Sequence, residues 1–214
     1  DGKMQAAPQQ ARALEPGHED QARADVYALL ARLLLAAPDD ALVRALATLP
    51  LFPFPSRPLD CAWAALSDAA RRKGAAAVQD EYARLFTGIG NPLLNPFGSL
   101  YLAGFINEKP LVRLRSDLAR LGLARRSASH ELEDHLGALC ETMRILIDGV
   151  GDRAPQPLDV QQAFFGTHIA PWYERFMHDM RNAEGSDFYR QVADLADVFL
   201  DIEAQAFEGA ALAA

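Results

Sequence analysis

The 214-residue sequence predicts an all-α protein, a single globular domain of roughly eight or nine helices with no sheet. Apolar residues recur three and four apart through most of the chain, the spacing that lines one face of a helix. No segment sustains the period-two alternation, rich in β-branched residues, that marks strands. Half of the residues are hydrophobic, enough for one core that needs no covalent staples.

Residues 1–18 read as a disordered tail. Those before Met4 look like an expression scar, and the Ala, Gln and Pro that follow carry too little apolar surface for a core. The helical domain is expected over 19–209, with 210–214 a short C-terminal tail. In the first helix Val26, Leu29, Leu30, Leu33 and Leu34 share a face until Pro38 stops it. Asp39 caps a second helix carrying Leu42, Val43, Leu46 and Leu49. The prolines of Leu49-Pro50-Leu51-Phe52-Pro53-Phe54-Pro55 remove donors and fix the backbone, so this stretch is an extended apolar connector.

A third helix is expected over 60–72, ending at Gly74, and a fourth over 75–86 with Val78, Tyr82, Leu85 and Phe86. The pattern then breaks into a loop, 87–98, that alternates turn formers with bulky apolar residues and therefore needs a cover. Helical spacing resumes at Pro110 with Leu111, Leu114, Leu118 and Leu121, and Gly122 is a natural C-terminal cap. Ser129 is expected to cap a long helix that turns Leu132, Leu136, Leu139, Met143, Leu146 and Ile147 inward and ends at Gly149. After a Gly/Pro linker, Asp159 caps a helix to about His168, Pro171 sits in the first turn of the next, and the last helix spans 187–207.

Acidic residues outnumber basic ones 29 to 21, for a net charge of -8, which argues against a nucleic-acid binder and suits a basic partner or plain solubility. Cys61 and Cys140 lie far apart in apolar helical patterns and read as buried free thiols. No stretch is long enough to span a membrane and no export leader follows Met4, so a cytoplasmic protein without stable membrane insertion is expected.

The chain lacks a phosphate-binding P-loop, a G-x-S-x-G elbow and an H-E-x-x-H helix. Gly88-Ile89-Gly90 follows a helix, not a strand, and is a turn. Glu131 and His135, and likewise Glu174 and His178, stand four apart on helix faces, yet no Glu-x-x-His pair completes a dimetal bundle. A metal-dependent helical enzyme using Glu131, Asp134, His135 and His168 is the alternative to a binding protein with no catalytic role and no cofactor. The acids of Glu131-Leu132-Glu133-Asp134-His135 have two readings. They favour a helix N-terminus through the macrodipole, or they form with the imidazole a recognition pocket for a basic peptide.

Three segments together resemble the redox-enzyme maturation chaperones of the TorD, DmsD and NarJ type. Tyr82-Ala83-Arg84-Leu85-Phe86 with Pro96-Phe97-Gly98-Ser99-Leu100-Tyr101 is similar to the family's Y-x-R-L-F and P-aromatic-x-S-x-Y. Glu131-Leu132-Glu133-Asp134-His135 is similar to its E-P-x-D-H, with Leu132 where proline is usual, a change that lengthens the following helix by about a residue. His168-Ile169-Ala170-Pro171-Trp172 is similar to H-x-x-P-W.

The resemblance implies a cytoplasmic chaperone for protein folding. It would bind the twin-arginine signal peptide, or an equivalent leader, of a molybdopterin-containing oxidoreductase's catalytic subunit, and hold that partner until its cofactor is inserted and before export. On this reading Leu85, Phe86, Pro96 and Phe97 form an apolar wall. Glu131, Asp134 and His135 meet the basic end, and the hydroxyls of Ser99 and Tyr101 fix the loop or bond peptide backbone. Tyr82, His168, Pro171 and Trp172 are assigned to the fold. Guanine-nucleotide binding, a third reading that the resemblance brings, has no phosphate-cradling motif in the sequence to support it. The Gly/Pro loop is a possible hinge, so a monomer or a domain-swapped dimer is expected.

Overall fold

The computed structural model describes residues 16–48, 57–88, 92–106, 109–123 and 132–213, and among these it holds nine helices and no sheet. They are α1 Pro16–Leu35, α2 Asp40–Thr48, α3 Arg57–Phe86, α4 Gly98–Ala103, α5 Lys109–Arg120, α6 Leu136–Asp148, α7 Leu158–His168, α8 Tyr173–Asn182 and α9 Phe188–Ala213. The apolar connector expected over 49–55, Ser129 and Glu131 lie outside the described residues.

The longer helices bury the stripes that their spacing marks. Tyr27, Leu30, Leu33 and Leu34 of α1 are fully buried, and α1 lies along α6. Contact there is tight, because a Cβ on Gly137 would come within 2.7 Å of Leu35. α2 packs on α3, α3 on α9, α8 on α9, α4 on α5, and α6 on α7. The last carbonyls of α1 have no partners within their own helix. Two tyrosines supply them: Tyr189 donates its hydroxyl to the Leu33 carbonyl at 2.9 Å, and Tyr82 to that of Leu34 at 3.3 Å.

Several boundaries differ from expectation. α1 starts at Pro16, inside the stretch read as tail, and α9 runs to Ala213, past the expected end at 209. The expected third and fourth helices run on as α3, with Gly74 at φ 72° as the joint between them. That positive φ is reached cheaply by glycine alone. Asp39 caps α2 as expected, accepting from the Leu42 N–H at 2.7 Å.

α6 does not start near Ser129: residues 132–135 form a turn, and His135 is the cap. The residue at 132 therefore does not lengthen the helix, and no acid occupies the first turn of α6. Pro157, not Asp159, precedes α7, and Asp159 sits in its first turn. Pro171 falls in the turn before α8, whose cap is Trp172. Cys140 is buried, but Cys61 is exposed on α3.

Candidate functional site

The three sequence segments meet in space. The end of the loop that follows α3 lies against the turn before α6 as an isolated antiparallel bridge between Phe97 and His135. Gly98 N–H donates to the Asp134 carbonyl at 2.9 Å, and Leu136 N–H donates to the Pro96 carbonyl at 2.8 Å. Leu94 N–H closes the loop back onto the Leu85 carbonyl at 2.9 Å. These main-chain bonds satisfy polar backbone groups of the loop, and of its apolar side chains Leu94 is buried while Leu93 stays exposed.

α4 was not legible as a helix, since six residues are too few for periodicity to show. Asp134 starts it, accepting the Ser99 N–H on Oδ2 at 2.7 Å. The carboxylate thus serves a helix in another part of the chain, not the one that follows it. His135 caps α6, its Nδ1 accepting from the Gly137 N–H at 3.0 Å, and its ring meets that of Phe97 edge-on at 5.3 Å. Burial pushes the His135 imidazole down to about 4, so it is neutral at pH 7.

Trp172 is the floor beneath α4. Its indole N–H donates to the His168 carbonyl at 2.7 Å, and its ring stacks on Tyr101 at 5.3 Å. A Cβ on Gly98 would come within 3.1 Å of the Trp172 Nε1, so glycine lets the start of α4 approach this closely. Tyr101 donates its hydroxyl to Asp179 at 2.7 Å, and Arg175 donates to the Tyr101 carbonyl. Its phenol is raised above the ordinary range by burial first and by that bond to Asp179. His168 is buried and hydrogen-bonds Asp117 on α5 at 2.8 Å, with its imidazole pushed down to about 4 by burial and by Arg113.

The predicted peptide-facing residues divide by exposure. Leu85 and Ser99 have no exposed surface, and Pro96, Asp134 and His135 are buried. Phe86, half-buried, packs its ring on Tyr82 and Tyr189, while Phe97 and Tyr101 are half-buried at the surface. Leu93, in the apolar loop read from the sequence, is exposed, as are Leu102, Phe105 and Ile106, which the sequence reading passed over. Glu81, just before the Tyr82–Phe86 motif, was given no role by the sequence. It is wholly buried and accepts the N–H groups of Asp187, Phe188 and Tyr189 at the start of α9, and Lys73 as well.

Among the described residues no group of three or more His, Cys, Asp or Glu side chains could hold a metal ion, and no helix is long and apolar enough to cross a membrane.

The sequence profile of the nitrate reductase delta subunit family matches residues 55–178, more than half of the chain. One relative is the probable Tat proofreading chaperone DmsD of Haemophilus influenzae, 29% identical over 118 residues, or 54% of this chain and 55% of that protein. The chain thus matches about half the length of that relative. The fold is similar to that of a redox enzyme maturation protein from Archaeoglobus fulgidus, with TM-score 0.54 and 17% identity over 84% of this chain and 92% of the other.

Proposed function

We propose, from the premise that this chain belongs to the nitrate reductase delta subunit family and so to the TorD, DmsD and NarJ group, that it is a cytoplasmic chaperone without catalytic activity. It binds the twin-arginine leader of a molybdopterin-containing oxidoreductase and holds the catalytic subunit until its cofactor is inserted and before export. The observation that carries this reading is a set of exposed apolar side chains in the chain on either side of a fixed loop junction. Leu93, Leu102, Phe105 and Ile106 are exposed in the stretches that flank Phe97 and Tyr101 in sequence, and the junction itself is tied by main-chain bonds. A firm platform with apolar side chains in water suits an apolar peptide stretch. The relative's description as a Tat proofreading chaperone supports the same reading.

Within this surface Phe97, Tyr101 and Phe86 offer the half-buried contacts. Leu85, Pro96, Ser99, Asp134 and His135 act mainly from behind, by fixing the loop and the starts of α4 and α6. Glu131 is proposed for the basic end of the leader. Calorimetric titration of candidate leader peptides tests the proposal. Phe97→Ala and Phe105→Ala should each weaken binding about tenfold or more, the scale of a buried aromatic contact. A genuine client leader bound equally well by both variants overturns it.

A further inference from the structure

An open cleft of about 740 Å³ lies between the end of α4, α8 and α9, and Tyr101, Glu174, Arg175 and Asp179 are among its walls. Tyr101 belongs to the proposed peptide surface, and one cationic group of the protein already stands on it. The Arg175 guanidinium donates to the Tyr101 carbonyl at 2.6 Å and holds its Cζ 5.7 Å from the centre of the Tyr101 ring. That carbonyl is one of those that the end of α4 leaves without a helical partner, since the Gly104 N–H goes to the Leu100 carbonyl. The ring is stacked at 5.3 Å on the buried indole of Trp172, which fixes its plane. A free carbonyl and a fixed aromatic plane within reach of one guanidinium make a built seat for that group.

Its present occupant is loosely held. Arg175 is exposed, and among the described residues it forms no ion pair. An exposed cation gains little from a ring, and water competes for the carbonyl bond. Asp179 stands four residues further along α8, the spacing at which an arginine and an aspartate on one helix face meet. A guanidinium displaced from Tyr101 therefore has a carboxylate within its own helix to go to, and no charge is stranded. Lysine would fill the seat less well, because its ammonium is more strongly hydrated and has no plane to lay on the ring.

We propose that the ring and carbonyl of Tyr101 form a guanidinium seat for one arginine of a bound leader, and that Arg175 is the chain's own placeholder, displaced when the leader enters. The inference rests on the leader reading and deepens it. It gives one arginine a place, and it makes Arg175 a selectivity element, because a peptide that displaces this guanidinium gains only if it brings another to replace it.

The test is NMR titration of acetyl-Arg-Arg-amide and acetyl-Lys-Lys-amide into the full chain, read at the amides of Tyr101 and Gly104. In the wild type the Arg175 Nε–H signal should move toward that of a solvated guanidinium as acetyl-Arg-Arg-amide binds. Arg175→Ala, with the seat open, should bind acetyl-Arg-Arg-amide about two- to fivefold more tightly, the fold-change to which an exposed cation–π contact corresponds. The gain for acetyl-Lys-Lys-amide, which reports only the loss of a nearby positive charge, should be less than half as large. Arg175→Gln keeps a donor for the Tyr101 carbonyl but lacks the charge over the ring, and should fall between the wild type and Arg175→Ala.

Equal gains for the two dipeptides reduce Arg175 to a surface charge and overturn the seat. Weaker binding in Arg175→Ala that Arg175→Gln restores marks a plain support for α4 and overturns it too, as does the absence of any shift at Tyr101 or Gly104 up to the solubility limit. A client leader that binds while the dipeptides fail sinks only this inference. Dipeptides that behave as stated while no leader binds sink only the leader reading.

Discussion

Glu81 and Asp134 are both buried carboxylates that hold the start of a helix remote in sequence, and they are used to different extents. Glu81 Oε1 accepts from Asp187 N–H at 2.8 Å and Tyr189 N–H at 2.9 Å, while Oε2 accepts from Phe188 N–H and from Lys73 at 2.7 Å. Asp134 gives Oδ2 to Ser99 N–H, and no protein group among the described residues bonds its Oδ1. A carboxylate with every lone pair matched has one job, which is to fasten α9 onto α3. Asp134 fastens the start of α4 through a single bond.

The largest effect should come from the saturated site. Glu81→Ala strands the leading N–H groups of α9 and leaves Lys73 beside a desolvated gap, so it should cost about 3–5 kcal/mol, as measured by urea unfolding. Asp134→Ala removes one charge-assisted bond and also an unsatisfied oxygen, and should cost about 1.5–3 kcal/mol. An equal or larger loss at Asp134 would erase the distinction between the two sites.

Acid should separate the same two regions. The imidazole of His135 titrates near 6.5 when unfolded and near 4 when folded, because burial disfavours its charged form. The unfolded chain therefore binds more protons in between. Stability from this group is complete above about pH 6.5 and is lost as pH falls toward 4, by up to about 1.4 kcal/mol per pH unit. His135→Asn retains a capping acceptor for α6 while removing the titration. Unfolding curves at pH 7 and pH 5.5 should then differ less for the variant than for the wild type, by about 1 kcal/mol. Hydrogen exchange at pH 5.5 should show the start of α6 opening before that of α9. The opposite order would move the acid-sensitive point away from the junction.

How much of this was readable in advance depended on whether the information was local. The stripes of α1, α2 and α5 could be read because each residue's burial follows from its neighbours three and four positions away. The break at Gly74 and the cap at Asp39 were likewise local. The acids before α6 misled because a carboxylate just upstream of a helix is ordinarily assigned to that helix. Asp134 instead serves α4, 35 residues earlier, and only the fold brings the two together. Glu81 escaped notice for the same reason, since the N–H groups of α9 that it accepts lie more than 100 residues away. Resemblance to a family marked the strings that meet at the junction, but not which of their side chains would be buried.

The smallest effect expected is at Tyr101, where the junction reaches α8. Tyr101→Phe deletes the hydroxyl that binds Asp179, at an edge where water replaces it, so stability should fall by only about 0.5–1.5 kcal/mol. The ring is retained, and with it the stack on Trp172 that supports α4 from below. Leader affinity should therefore change little in Tyr101→Phe yet fall clearly in Phe97→Ala, whose ring lies against His135 at the surface. If calorimetry instead gives the larger loss for Tyr101→Phe, the hydroxyl is itself a peptide contact. The recognition surface would then extend across α4 toward Asp179 and the acidic side of α8.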